Sequence, residues 1–177
     1  MEIHQAILEG DLKRVHALIE AGANLNEQDS KYYAHTPLSL AVSLNNLEIV
    51  QVLLEAGANL FPGLLTIIAE NDFSNPEILA ALIEAGIDVN AKLEDGTTIL
   101  MEAAASDNLE VVKMLIHAQA DPNIVSRKAN FALLAAGHAR NQELFEYLIP
   151  LTSPKLRAVA AEQLPTWLAK LISKYDC

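Results

Sequence analysis

Apolar residues along this chain fall into short helical stripes separated by polar turns, and the stripes come in pairs. Ile49, Val52 and Leu53 stand at i, i+3 and i+4, as do Val111, Met114 and Leu115, which gives each segment one apolar side. Ahead of these longer stripes lie shorter runs rich in small residues, among them Ala41, Ala69, Ala103, Ala104, Ala135 and Ala136. The pattern predicts pairs of helices, a short Ala-rich one followed by a longer one. The small residues sit where neighbouring pairs must approach closely.

The pairs repeat in register. Ile19-Glu20-Ala21-Gly22-Ala23-Asn24-Leu25-Asn26 returns as Leu54-Glu55-Ala56-Gly57-Ala58-Asn59-Leu60 and as Ile83-Glu84-Ala85-Gly86-Ile87-Asp88-Val89-Asn90. It returns again as Ile116-His117-Ala118-Gln119-Ala120-Asp121-Pro122-Asn123, and a faded copy ends at Ile149-Pro150-Leu151. Counted from Ile19, the spacings are 35, 29, 33 and 33 residues. Local chemistry agrees with the helices. Thr36 caps a helix and Pro37 suits its first position, where a missing N–H costs nothing. The Ala-Gly endings supply the left-handed residue that stops a helix. One such unit cannot bury its stripe alone, so units must stack.

Composition sharpens this picture. Apolar residues make up 51% of the 177 and aromatics only 5%, so Leu, Ile, Val and Ala must build the core, which favours helix on helix over a β-sandwich. Net charge is −11, too acidic for a broad phosphate-binding surface, and no direct nucleic-acid partner is expected. The acid is lopsided: residues 1–90 carry 13 acidic and 3 basic side chains, residues 91–177 carry 10 and 9. The single cysteine, Cys177, offers no internal disulfide, and neither a signal peptide nor a membrane span is apparent. These features suggest a cytoplasmic protein.

Taken together, the repeated strings resemble the ankyrin-repeat family. Its Gly-x-Thr-Pro-Leu-His-x-Ala motif is partly matched by Ala34-His35-Thr36-Pro37-Leu38-Ser39-Leu40-Ala41 and by Gly96-Thr97-Thr98-Ile99-Leu100-Met101-Glu102-Ala103. Its Gly-x-Leu-Glu-Val-Val-x-Leu-Leu-Leu-x-x-Gly-Ala-Asp segment is closest in Asn45 to Asn59. The resemblance implies an all-α ankyrin-repeat solenoid of about five helix-turn-helix units. As one domain over 1–177, the units are about 1–26, 27–60, 61–90, 91–123 and 124–152, with a helical cap at 153–177.

Three departures stand out. The motif histidine, which in the family braces neighbouring turns, survives only as His4, with Ser39 and Met101 in its place later. Gln119 replaces the stop glycine. Only Phe61-Pro62-Gly63 separate Leu60 from Leu64, too few for the projecting finger that joins family units. In the cap, Leu156, Val159, Ala160, Leu164, Leu168, Leu171 and Ile172 form an apolar face, and Trp167 is expected to plug the last unit's core.

No catalytic constellation emerges. His4, His16, His35, His117 and His138 are scattered, and no metal-ligand spacing, P-loop or nucleophile elbow occurs. The chain is expected to be no enzyme and to need no cofactor. The resemblance implies instead a surface of finger tips and short helices that binds another protein. Candidate contacts are Tyr32, Tyr33, His35, Ser39, Ser43, Lys92, Glu94, Asp95, Met101, Arg127 and Lys128. The tips turn from acidic to basic along the chain, favouring a partner with the reverse pattern. The alternative is an acidic inhibitor or immunity-type protein masking a basic partner such as a nuclease or DNA-binding protein. A monomer is expected for the free chain.

Overall fold

A computed structural model describes residues 2–28, 35–93 and 95–175. Among these residues every regular element is helical, and no strand is formed. The helices divide into two compact units, Met1–Ile87 and Asp88–Cys177.

In the first unit, a short helix and a longer one alternate along the chain. They are α1 (Glu2–Glu9) and α2 (Leu12–Glu20), α3 (Pro37–Ser43) and α4 (Leu47–Glu55), then α5 (Gly63–Glu70) and α6 (Pro76–Glu84). Helices α1, α3 and α5 touch in one row, and α2, α4 and α6 in a second. The start and stop signals work as their chemistry demands. Thr36 Oγ1 accepts from the Ser39 amide (3.2 Å), and Asn46 Oδ1 accepts from the Ile49 amide (3.1 Å). Gly22 closes α2 at φ +82°, donating to the Ile19 carbonyl while Ala23 donates to that of Leu18. Leu38, Ala41, Val42, Ile49, Val50, Leu53, Leu64, Ile78, Leu79 and Leu82 are wholly buried, as an aliphatic, aromatic-poor core requires.

Asn26 holds adjacent copies of the repeat together. Its amide nitrogen is bound by Asn24 Oδ1, two residues back, which aims its own Oδ1 at the Asn59 backbone N–H (2.9 Å). Phe61 stands at the same register position of the next copy and has no amide to offer. The chain passes from Phe61 directly into α5, and the Phe61 ring lies where a Cβ on Gly63 would be, 2.8 Å from Cε2. A side chain at residue 63 would have to displace that ring. The shortened connection is thus a tight aromatic-over-glycine corner.

The second unit repeats the plan with α7 (Ile99–Ala105) and α8 (Leu109–His117), α9 (Ala132–Ala139) and α10 (Gln142–Leu148), a 3-10 turn (Ile149–Leu151), and α11 (Pro154–Gln163) and α12 (Thr166–Ser173). Helix α9 lies between α7 and α11. On the outer row, Lys113 of α8 lies 5.7 Å from the Tyr147 ring centroid and 4.0 Å from Glu143, both on α10. Asparagine clamps operate twice. Asn90 accepts from the Asp121 amide (2.7 Å) and donates to the Gln119 carbonyl (3.0 Å). Asn123 accepts from the Ser153 amide (2.7 Å) and donates to the Leu151 carbonyl (3.3 Å). Asp88 and Asp121 aim them as Asn24 aims Asn26.

Gln119 adopts the left-handed conformation of the glycine it replaces, φ +66°. It donates to the Ile116 carbonyl and Ala120 to that of Leu115, the same two bonds that close α2. The geometry is kept and the residue bears the strain. Gln119→Gly is therefore expected to stabilise the fold by about 1 kcal/mol, a rise in Tm of roughly 2–4 °C. A thermal melt of the two proteins at one pH checks it. No gain would mean that glycine's greater freedom in the unfolded chain offsets the relief.

The cap corrects one expectation. Ala160, Leu164, Leu168 and Ile172 are buried, but Trp167 is 44% exposed and plugs nothing. The reason is helical phase. Leu168 and Ile172 stand at i and i+4 on the buried side of α12, and Trp167, one residue before Leu168, points about 100° away from it. Leu164 does the sealing, seated against Gly137 of α9.

Candidate binding surface

The second unit carries two projecting loops, each closed by its own backbone bonds. In residues 91–97, the Leu93 amide donates to the Thr97 carbonyl (2.9 Å) and the Gly96 amide to the Leu93 carbonyl (2.8 Å). In residues 124–130, the Ser126 amide donates to the Asn130 carbonyl (2.9 Å) and the Ala129 amide to the Ser126 carbonyl (3.0 Å). Ser126 Oγ also accepts from the Asn130 amide (3.1 Å). These are two fingers of one design, one copy of the repeat apart.

Backbone joins them. The Arg127 amide donates to the Asp95 carbonyl at 2.9 Å. Gly96 makes this approach possible: it sits at φ +82°, and a Cβ there would meet the Arg127 nitrogen at 3.1 Å and the Ser126 Cα at 3.3 Å. Beside this seam lies an open groove of about 550 Å3, lined by Lys92, Leu93, Gly96, Val125, Ser126 and Arg127.

Charge is arranged around the seam. Asp95 Oδ1 accepts from the Thr97 amide (3.0 Å), and Lys128 Nζ lies 3.7 Å from Asp95 Oδ2. Hydrogen bonding by Thr97, then the nearby Lys128 cation, holds the Asp95 carboxyl below its usual 3.8. Glu102, half-buried on α7, is pushed above its usual 4.5, first by burial and then by the like charge of Asp95. A raised carboxyl favours the folded state while protonated, and that contribution fades as pH rises through the folded pKa. Asp95 runs the other way, stabilising above its usual pKa and losing that effect as the solution becomes more acidic. Glu102→Gln is thus expected to raise Tm modestly at pH 7 and to give no gain below about pH 4. Paired melts across that range test the sign; an equal gain at both ends would locate the effect elsewhere.

The structure brings Lys92, Asp95, Arg127 and Lys128 together on this finger pair, with Lys92, Arg127 and Lys128 exposed. Glu94 belongs to the same finger but lies outside the described residues, as do Tyr32 and Tyr33. Ser39 and Met101 are each only 2% exposed and present no contact surface. Their helices explain why: in α3 six of seven residues are buried, and in α7 five of seven. Ser39 is also spent internally, its hydroxyl donating to the Thr36 carbonyl (3.1 Å) and lying 3.0 Å from His35 Nδ1. His35 and Ser43 are half-buried in the first unit. The His35 carbonyl accepts from His4 Nε2 at 2.9 Å, and the Ser43 hydroxyl donates to the Leu40 carbonyl at 2.8 Å. Leu93, Gly96, Val125 and Ser126 were not singled out by sequence. The available signal was the Gly96-Thr97 pair, which marks a turn, and an aliphatic residue, Val125, just before Arg127-Lys128.

No helix among the described residues is long and apolar enough to cross a membrane. A family model for ankyrin repeats matches residues 3–62 and 65–159. An ankyrin repeat protein of Rickettsia felis is 31% identical over 127 residues, covering 71% of this chain and 45% of the relative. Ankyrin repeat protein nuc-2 of Neurospora crassa is 31% identical over 167 residues, covering 90% of this chain and 15% of the relative. The human transient receptor potential cation channel subfamily A member 1 is 29% identical over 157 residues, covering 83% and 14%. The chain therefore spans less than half the length of these relatives. The match runs through every copy of the helix pair described above, from His4 to the α9–α10 hairpin, and the chain belongs to the ankyrin-repeat family.

Proposed function

We propose that this chain is a non-enzymatic protein-interaction domain, residues 1–177, whose partner protein docks on the paired fingers of the second unit. The observation that carries this reading is the division of labour at the seam. Backbone bonds and Gly96 build the fingers, so the Lys92 and Arg127 side chains are left over from folding and project into water. Long cationic side chains held on a fixed backbone are good contacts for a partner's surface, where Arg in particular tends to dominate binding energy.

The test starts with the chain as bait in lysate of its native cell, and mass spectrometry of what it retains. The purified partner is then titrated against the wild type and the double variant Arg127→Glu/Lys128→Glu. Affinity is expected to fall tenfold or more, with the far-UV circular dichroism unchanged. Wild-type affinity in the variant would remove the fingers from the interface.

The surplus of acid in residues 1–90, 13 against 3, favours a second reading, an inhibitor masking a basic partner. That reading requires binding to weaken steeply between low and high salt and to be insensitive to the finger variant. A flat salt response would sink it.

A further inference from the structure

We propose that the groove between the two fingers binds an acidic peptide segment in which an aliphatic side chain is flanked by carboxylates. This assigns a chemical class to the partner segment and rests on the protein-interaction reading above.

Three features of the groove define the ligand. Its cations come one from each finger, Lys92 and Arg127. Both are exposed, and among the described residues no ion pair or side-chain hydrogen bond engages either. The neighbouring carboxylate of Asp95 is already matched by Lys128 and by the Thr97 amide. Among the described residues, the Lys92 and Arg127 charges are thus left without an ion-pair partner, one on each finger. Leu93 and Val125 give the same groove an aliphatic lining, and Val125 is 41% exposed, so its methyl groups are open to a ligand. Finally, about 550 Å3 is the size of a site for a few side chains, not for a folded surface.

The same features argue for a peptide over other anions. A phosphate backbone gains nothing from Leu93 and Val125. A long polyanion also meets the repulsion of a chain with net charge −11. A short segment senses mainly nearby charges, and the described charged residues of the finger pair are Lys92, Arg127, Lys128 and Asp95, three cations against one carboxylate. An arginine facing a carboxylate can form two parallel hydrogen bonds, which fixes register as well as adding affinity.

The experiment uses fluorescein-labelled nonapeptides, blocked at both ends, with the full chain and anisotropy as readout. One has a Glu-Leu-Glu core, a second Gln-Leu-Gln, a third Glu-Ser-Glu. The first is expected to bind at least fivefold tighter than either of the others, and to weaken severalfold from 50 to 300 mM salt. Lys92→Ala and Arg127→Ala should each cost roughly fivefold or more, as expected for hydrogen bonds to charged groups. Val125→Asp should abolish binding, and Glu94→Gln, which removes the other carboxylate of that finger, should tighten it. Equal binding of the Gln-Leu-Gln peptide, or of the Arg127→Ala variant, would overturn the proposal. Stronger binding of a single-stranded oligonucleotide in the same groove would overturn it in favour of a phosphate ligand. If Arg127→Glu/Lys128→Glu loses the captured partner while no acidic peptide binds, this inference falls and the protein-interaction reading stands.

Discussion

Replacing Gly137 with valine should cost about 3 kcal/mol, the largest loss expected from a single added side chain in this fold. A Cβ on Gly137 would overlap Leu164 Cδ1 and stand 2.7 Å from Cδ2 and 3.1 Å from Cγ. Leu164 cannot simply swing away, because it is only 7% exposed and so has packed neighbours around it. Alanine separates packing from propensity. It favours a helix by about 1 kcal/mol over glycine, so on propensity alone Gly137→Ala would stabilise α9. The contact instead predicts a net loss of about 1–2 kcal/mol. Leu164→Ala then becomes the informative partner: in the Gly137→Ala background it should cost clearly less than in the wild type, because the two changes exchange volume. Urea midpoints for the four proteins give the coupling. Additive losses would show that Leu164 is not what Gly137 is small for.

His4→Leu should destabilise the first unit by about 2 kcal/mol, although leucine keeps the apolar bulk. His4 is fully buried, and its Nε2–H reaches the His35 carbonyl 31 residues on, at the entry to α3. Removing the donor strands that carbonyl, and stranding a polar group costs more than the net value of the bond itself. His4→Gln, which can present an amide N–H, should recover part of the loss. Hydrogen exchange adds a local readout: the amides of Leu40 and Ala41 in α3 should exchange faster in His4→Leu, while those of α8 stay as they were. Uniform acceleration would mean that His4 matters only to global stability.

The helix pairs were legible because their punctuation is local. Thr36-Pro37 and the Ala-Gly endings fix starts and stops within a few residues, whatever the neighbours do. Gln119 could be read as the odd stop residue for the same reason, although only the structure shows that it keeps the left-handed geometry. Burial around a short helix was not legible. Helices α3 and α7 are packed on nearly all sides, and a sequence stripe does not reveal how narrow the remaining exposed edge is. Sequence position places Ser39 and Met101 on that edge, whereas both side chains lie inside it. Trp167 is exposed for a related reason: its size suggests a plug, whereas the phase of α12, set by Leu168 and Ile172, decides which residues face inward. The asparagine clamps were within reach. Asn26, Asn90 and Asn123 each follow an Asn or Asp by two residues in the repeat, and Phe61 breaks the series visibly. Their meaning needed the partner atoms, which are backbone amides and carbonyls that carry no sequence signature.

The bond from the Arg127 amide to the Asp95 carbonyl has a kinetic consequence. Fingers tied through their own backbone are already ordered before anything arrives, so a ligand need not spend free energy on arranging them. Its association should then be limited by encounter and orientation, with no slow rearrangement step. Differences among variants at uncharged positions such as Val125 should appear almost entirely in how long each complex lasts, whereas Lys92 variants should also slow encounter. Gly96, which adds no side chain to the groove it lines, would then set the association rate by keeping the two tips in register.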